Sequence, residues 1–213
     1  MTEAGEILPT RAALRELFDE IGAIREGRQD LDHKRQLLAA EMLRLLAEHQ
    51  AHDRIRSREL EAARKAMAES LAIHGLDAIL AAPTSATTAD RDDVASPRIR
   101  SRVRSYLGVP LIEASLEPAA SSTGALPTPE LRRCRAAFER VLRGDAVLAA
   151  LGCSLRRLQR EYRRTERRAR TLEDLIEPEL AAVARHLEDA LDDQDQEESM
   201  IARHSTRRDR DTR

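Results

Sequence analysis

Two segments at opposite ends of this chain carry apolar residues at spacings that alternate between three and four, and that pattern leaves few folds open. In the first, Leu14, Leu17, Ile21 and Ile24 lead on to Leu31, Leu38, Met42 and Leu45, with Arg28 and Arg35 occupying the stripe between them. In the second, Leu151, Leu155, Leu158, Tyr162, Thr165, Ala169, Leu172 and Ile176 repeat the same spacing. A heptad repeat keeps one stripe of a helix turned toward a partner helix, and two such stripes in one polypeptide pair most simply with each other. The pattern predicts an all-α fold: a long antiparallel two-helix coiled coil with a short β-hairpin and loop region at one tip.

Composition agrees. Charged residues make up 35% of the chain and hydrophobic ones 41%, with two phenylalanines, two tyrosines and no tryptophan, so Leu and Ala stripes are the apolar surface left to bury. The net charge of -2 over 213 residues exerts no general pull on nucleic acid or membrane. No N-terminal apolar run resembles a secretory signal, and no apolar segment approaches the roughly 20 residues that span a bilayer. The expectation is a soluble, cytoplasmic chain with no direct membrane insertion. Cys134 and Cys153 show neither a metal-ligand spacing nor the dense, even pattern of a disulfide scaffold and read as reduced thiols.

Thr10 stands where it can cap a helix beginning at Arg11, no proline follows until Pro83, and Gly75 is a candidate C-cap. Past Leu45 the stripe passes His49 and His52, shifts register, and resumes at Leu60, Ala63, Met67 and Leu71. Residues 82–98 and 117–127 have loop composition. Between them Ile99, Val103 and Leu107 fall on one face and Arg100, Arg102 and Arg104 on the other, the period of a strand. Gly108 can turn the chain and Val109–Leu116 can return, provided that Pro110 sits at an edge or a bulge. Thr128-Pro129-Glu130 reads as the start of the second long helix, with Gly144 and Gly152 as candidate breaks. Pro178 interrupts the apolar run, which restarts as Leu180, Val183, Leu187 and Leu191, one position out of phase, as a kink would require. The chain thus divides into an N-terminal tail (1–10), a first coiled-coil helix (11–75), a middle loop and hairpin region (76–127), a second coiled-coil helix (128–204) and a flexible C-terminal tail (205–213). With Leu14 opposite Leu187 to Leu191, Arg28 falls near Glu177 and Glu179.

Motifs that carry chemistry are sparse. There is no Gly-rich loop followed by Lys and Ser or Thr, the arrangement that cradles nucleotide phosphates. His49 and His52 share a helical face, but no third ligand stands at a fixed spacing, so they read as a polar layer in the seam. Glu188, Asp189, Asp192, Asp193, Asp195, Glu197 and Glu198 lack the desolvated cleft that acid–base catalysis needs and read as a solvated or partner-facing acidic face. Eight arginines between Arg156 and Arg170 (156, 157, 160, 163, 164, 167, 168 and 170) form a basic stretch. With Tyr162 as its one aromatic, and that on the apolar stripe, it suits an acidic protein surface better than nucleic acid. No catalytic residue, cofactor or metal site is expected.

Pro9-Thr10-Arg11 ahead of a leucine heptad, followed by Lys34-Arg35, resembles the opening of the D subunit of V-type and A-type rotary ATPases, the central rotor shaft. Thr165, Arg168, Leu172, Glu173 and Pro178 fall where that family has a threonine and an arginine before an asparagine-alanine-leucine-glutamate motif and an isoleucine-proline step. Leu191-Asp192-Asp193, with the acids to Glu198 and a close on Arg203, is similar to its leucine-acid-acid tail. Arg170 stands in place of the motif asparagine, and Glu177 in place of the apolar residue before proline. The resemblance covers residues 7–74 and 128–204 and is looser between them. It implies a non-catalytic stalk subunit whose paired helices enter a hexameric ring of catalytic and nucleotide-binding subunits (A and B types). It further implies contact with a small central-stalk subunit (F type) and with a connector to the membrane rotor (C/d type). Such a complex couples ATP synthesis or hydrolysis to proton or sodium transport, and the shaft is cytoplasmic and peripheral to the membrane. The alternative reading of the same stripes is a free-standing coiled-coil adaptor or scaffold.

Overall fold

The computed structural model describes residues 9–81, 98–117 and 128–211; the two loops expected around the hairpin, apart from Arg98 and Glu117, lie outside that range. The elements are α1 (Arg11–Ala81), β1 (Arg98–Tyr106), β2 (Val109–Glu117), α2 (Pro129–Thr171), a π-turn (Leu172–Ile176) and α3 (Glu177–Asp211). The chain is mostly helical with one short hairpin, and it clusters into two compact units. The first comprises residues up to Gln36 and those from Arg163 on; the second is Leu37–Tyr162.

In the first unit α1 begins as Thr10 predicts: its hydroxyl accepts the Ala13 amide at 3.1 Å, and its carbonyl accepts the Leu14 amide at 3.0 Å. Three ion pairs fix the direction of the partner helix. Arg11 meets Asp195 at 2.7 Å, Arg25 meets Glu177 at 2.7 Å and Arg28 meets Glu173 at 3.2 Å. As one number rises the other falls, so the pairing is antiparallel. Leu17, Ile21 and Ala184 are buried between the helices, with Leu14 and Leu180 packed beside them. Arg28 reaches Glu177 only at 4.0 Å, and its buried Nε has no hydrogen-bond partner. Glu179, the other expected partner, stays exposed.

Pro178 explains the π-turn. A proline in a helix lacks an amide, and its ring collides with the carbonyl four residues back. The chain absorbs this by widening one turn, so that the Glu177 amide donates to the Leu172 carbonyl five residues back. One extra residue re-phases everything downstream. Strict heptads from Leu172 and Ile176 lead to positions 179 and 183, whereas the inward residues are Leu180, Ala184, Leu187 and Leu191. Val183, expected in the seam, is therefore 40% exposed, and Ala184 takes its place at 3%. The helix runs on to Asp211, past the boundary expected at residue 204.

In the second unit the rest of α1 pairs antiparallel with α2. Arg56 meets Asp145 at 2.7 Å, Met67 Sδ lies 3.7 Å from Cys134 Sγ, and His74 Nε2 lies 3.1 Å from Thr128 Oγ1. Gly75 breaks the helical path with φ 72, the left-handed conformation that glycine adopts freely. Gly144 and Gly152 do not break α2. Ala63, Ala137 and Val141 form a thin core. Leu71 points outward, 42% exposed, and Ser70 occupies the buried position, its hydroxyl satisfied by the Ala66 carbonyl at 2.9 Å.

The hairpin turns through Leu107 (φ 49) and Gly108 (φ 83), two positive-φ residues in a two-residue loop, as a type I′ turn requires. It does not project from the tip of the helix pair, where the sequence pattern places it. Its turn end lies against residues 37–45 and 151–158, where Val109 and Leu111 join Leu38, Leu45, Leu151 and Leu158 in the largest core. The reason is apolar area: the alanine-lined core near Ala63 and Ala137 offers no bed for Val109 and Leu111, whereas the leucine layers do. Register pairs Arg104 with Leu111 and Tyr106 with Val109, so the arginine face is the one turned toward the helices. Ile99 (66%) and Val103 (61%) remain exposed.

Candidate functional site

Two paired helices and a hairpin make faces rather than a cleft, so the candidate sites are surfaces. Of the expected seam positions, Leu17, Ile21, Leu38, Leu45 and Leu158 are buried. Leu14, Ile24, Leu31, Met42, Leu155, Tyr162, Leu172 and Ile176 are half-buried.

In the second unit the half-buried seam residues border an apolar groove of about 420 Å³. Ala39, Met42, Leu43 and Leu46 line it from α1, and Leu155, Arg156, Gln159 and Tyr162 line it from α2. Leu43 is 68% and Leu46 is 43% exposed, at positions beside the stripe where a coiled coil in water ordinarily carries charge. The apolar stripe is here wider than one partner helix covers, and such a surplus marks an interaction surface.

The other side of the same segment is occupied. Glu41 and Leu43 are two residues apart, about 200° around the helix, and the hairpin lies on the Glu41 side. The Glu41 carboxylate accepts two hydrogen bonds from Arg44, both 2.8 Å, and one from Arg104 of β1 at 3.2 Å. The Arg44 hydrogen bonds, aided by the charge of Arg44 and Arg104, hold its carboxyl below the usual carboxylate range against the opposing cost of burial. Tyr106 donates to the Leu37 carbonyl at 3.3 Å. Ser154, 1% exposed, accepts the Ile112 amide at 2.8 Å and donates to its carbonyl at 3.2 Å. Arg157 donates to the Pro110 carbonyl at 2.9 Å. Pro110 therefore sits at a strand edge, the first of the two options its missing amide allowed.

The arginine stretch divides, among the described residues, into engaged and free side chains. Arg157 serves the hairpin and Arg170 pairs with Glu166 at 2.8 Å. Arg160, Arg163, Arg164 and Arg168 are exposed and have no carboxylate partner among the described residues. On α3 the acids from Glu188 to Glu198 are exposed, and Asp195 is engaged by Arg11. Beside that pair Phe18 stands 48% exposed. His49 and His52 are half-buried on α1. Among the described residues no group of His, Cys, Asp and Glu could hold a metal ion, and no helix is long and apolar enough to cross a membrane.

Comparison with known protein families matches residues 13–205 to the model of the ATP synthase D subunit. The chain belongs to the ATP synthase D-subunit family. It is 32% identical over 199 residues to the V-type ATP synthase D subunit of Anaeromyxobacter sp. (strain Fw109-5), a match covering 89% of this chain and 87% of that protein. It is 26% identical over 206 residues to the V-type ATP synthase D subunit 2 of Treponema pallidum (strain Nichols), covering 92% and 91%. Several of the residues that carry the family resemblance have identifiable physical duties. Pro9 precedes the cap, Thr10 is the cap and Arg11 reaches Asp195. Arg35 pairs with Asp32 at 3.0 Å, Lys34 is half-buried, Thr165 is buried at 2% and Arg168 is exposed. Leu172 opens the π-turn, Glu173 pairs with Arg28 and Pro178 follows the turn. Sequence reasoning misses the groove and the role of Ser154. The signal for the groove is present in Leu43 and Leu46, which lie one step off the stripe; Ser154 has no local signature.

Proposed function

We propose that this chain is the central-stalk rotor shaft of a V/A-type rotary ATPase, coupling ATP synthesis or hydrolysis in a catalytic ring to proton or sodium transport. The observation that carries the reading is the ion-paired helix pair of the first unit, from Arg11–Asp195 to Arg28–Glu173. A shaft must pass torque without its strands sliding, and cross-helix ion pairs beside apolar layers bias the register: a slip of one heptad sets Arg25 opposite Arg170 in one direction and sets Ala202, Ala184 and Leu180 opposite the three arginines in the other. Family membership supplies the complex in which such a part belongs.

In this reading ATP chemistry belongs to the A- and B-type ring subunits, and the chain itself is non-catalytic, cytoplasmic and peripheral to the membrane. Arg160, Arg163, Arg164 and Arg168, without a carboxylate partner among the described residues, meet acidic ring surfaces, and an asymmetric face turned to each ring subunit biases it among open and closed nucleotide states. The apolar groove beside Leu43 and Leu46 receives the small F-type stalk subunit, and the C/d-type connector joins the assembly to the membrane rotor. The purified chain binds no nucleotide and hydrolyses none. Reconstituted with the ring, a single disulfide between a cysteine at Leu14 or Leu191 and a ring subunit stops sustained turnover until it is reduced. Full coupled activity in the oxidised, tethered complex would overturn the rotor reading and leave a static scaffold.

A further inference from the structure

We propose that the free edge of β1 is a docking site for an extended, acidic segment of a partner protein, added to the hairpin as a third strand. The two edges of the hairpin differ. On β2 the outward groups of Ile112 are both taken by Ser154, and the outward carbonyl of Pro110 is taken by Arg157. Pro110 has no amide to offer, so α2 closes this part of the edge. Val103 faces Ile112 across the ladder. By the alternation of an antiparallel pair, Ile99, Ser101, Val103 and Ser105 therefore direct their amides and carbonyls away from β2. Among the described residues nothing bonds them.

The side chains state which partner fits. Ile99 (66% exposed) and Val103 (61%) lie on one face of β1, and the arginines at 98, 100, 102 and 104 lie on the other. Arg100 pairs with Glu117 at 2.6 Å and Arg104 with Glu41 at 3.2 Å. Arg98 and Arg102 have no carboxylate partner among the described residues. Four outward amides and carbonyls, with apolar groups on one face and cations on the other, match a strand that alternates apolar and acidic residues. The same geometry disfavours a second copy of this chain. Outward groups bond only to outward groups, so antiparallel pairing of β1 with another β1 sets odd positions against odd and even against even. In the register that pairs 98 with 104, arginine then stands opposite arginine at every cationic position, an arrangement that like-charge repulsion disfavours.

The test titrates the full chain with a labelled nine-residue peptide alternating glutamate and valine, and with the same peptide carrying lysine for glutamate. The glutamate peptide should bind saturably, about tenfold or more tighter than the lysine peptide, with hydrogen-exchange protection at Ile99, Ser101, Val103 and Ser105. Ser101→Pro removes one outward amide and no apolar or charged group, and it leaves the β1–β2 ladder complete. It should weaken binding about tenfold with an unchanged thermal transition. Arg102→Glu should weaken the glutamate peptide and admit the lysine one. The proposal is overturned by an absence of saturable binding, or by undiminished binding to Ser101→Pro without protection in β1, which assigns the peptide to the α2 arginines. Dimerisation of the purified chain with β1 amides protected also overturns it, since the occupant is then a second copy.

Discussion

Replacing Leu38 by alanine is the sharpest test of where the second unit keeps its stability. Leu38 has no exposed surface and shares its cluster with Leu45, Leu151 and Leu158 on the helices and with Val109 and Leu111 on the hairpin. Truncating a buried leucine costs the transfer energy of the lost carbons plus a cavity term that depends on how far the walls collapse, about 2–5 kcal/mol in all. Here one wall is β2, and Ser154 and Arg157 pin its backbone at 2.8 and 2.9 Å, so collapse is restrained and a loss of about 3–4 kcal/mol is expected. Leu43→Ala is the matched control: the same atoms leave a side chain that is 68% exposed, and the change stays within about 0.5 kcal/mol. Urea unfolding followed by helical circular dichroism gives the two values, and native-state hydrogen exchange localises the loss to amides of residues 37–162. A cost for Leu38→Ala below about 1 kcal/mol, or one equal to that of Leu43→Ala, refutes the argument that this layer holds hairpin and helices together.

Three further outcomes are expected. A double-mutant cycle on Arg28→Met and Glu173→Gln should show a coupling of a few tenths to about 1 kcal/mol, since both side chains are partly exposed; strict additivity in thermal unfolding would remove that pair from the register. Glu41 has a folded-state pKa lowered from 4.5, so its stabilisation is fully present above the unfolded value and is lost as pH falls through the lower folded value. Urea midpoints measured from pH 6 downward should therefore decline below about pH 4.5, and more steeply in the wild type than in Glu41→Gln. Leu107 holds φ 49, a conformation that asparagine tolerates better than leucine, so Leu107→Asn should raise stability by about 0.5–1 kcal/mol, whereas Gly108→Ala should lower it by about 1 kcal/mol; thermal melts of the two variants measure both.

The stripes are legible in the sequence because a seam is a one-dimensional property: Leu17, Ile21, Leu38, Leu45 and Leu158 are buried where a count of threes and fours puts them. The hairpin is legible for a similar reason, since alternation and a turn glycine are local. Its position is not, because that depends on which apolar bed matches Val109 and Leu111, a comparison between residues distant in sequence. The groove falls between these cases. Leu43 and Leu46 are visible as apolar residues, but their exposure depends on how much of α1 is covered by α2 and how much by the hairpin. Ser154 is illegible, because its duty is defined by the strand edge that it seals. Val183 shows how a local error spreads: the proline signals a new phase and most of the downstream stripe follows it, yet this one residue belongs to the old count.

The π-turn also makes the C-terminal helix tolerant of a change in length at one place. An ordinary α-helix cannot gain or lose a single residue without swinging all later side chains through about 100°. Between Leu172 and Ile176 the added residue is already held as a bulge. A relative that lacks it, and with it the proline at 178, can close the turn to a regular helix while Leu180, Ala184 and Leu187 keep facing α1. Single-residue gaps in alignments of this family should therefore collect at this turn and be rare within the heptads on either side, and a gap here should coincide with the absence of the proline.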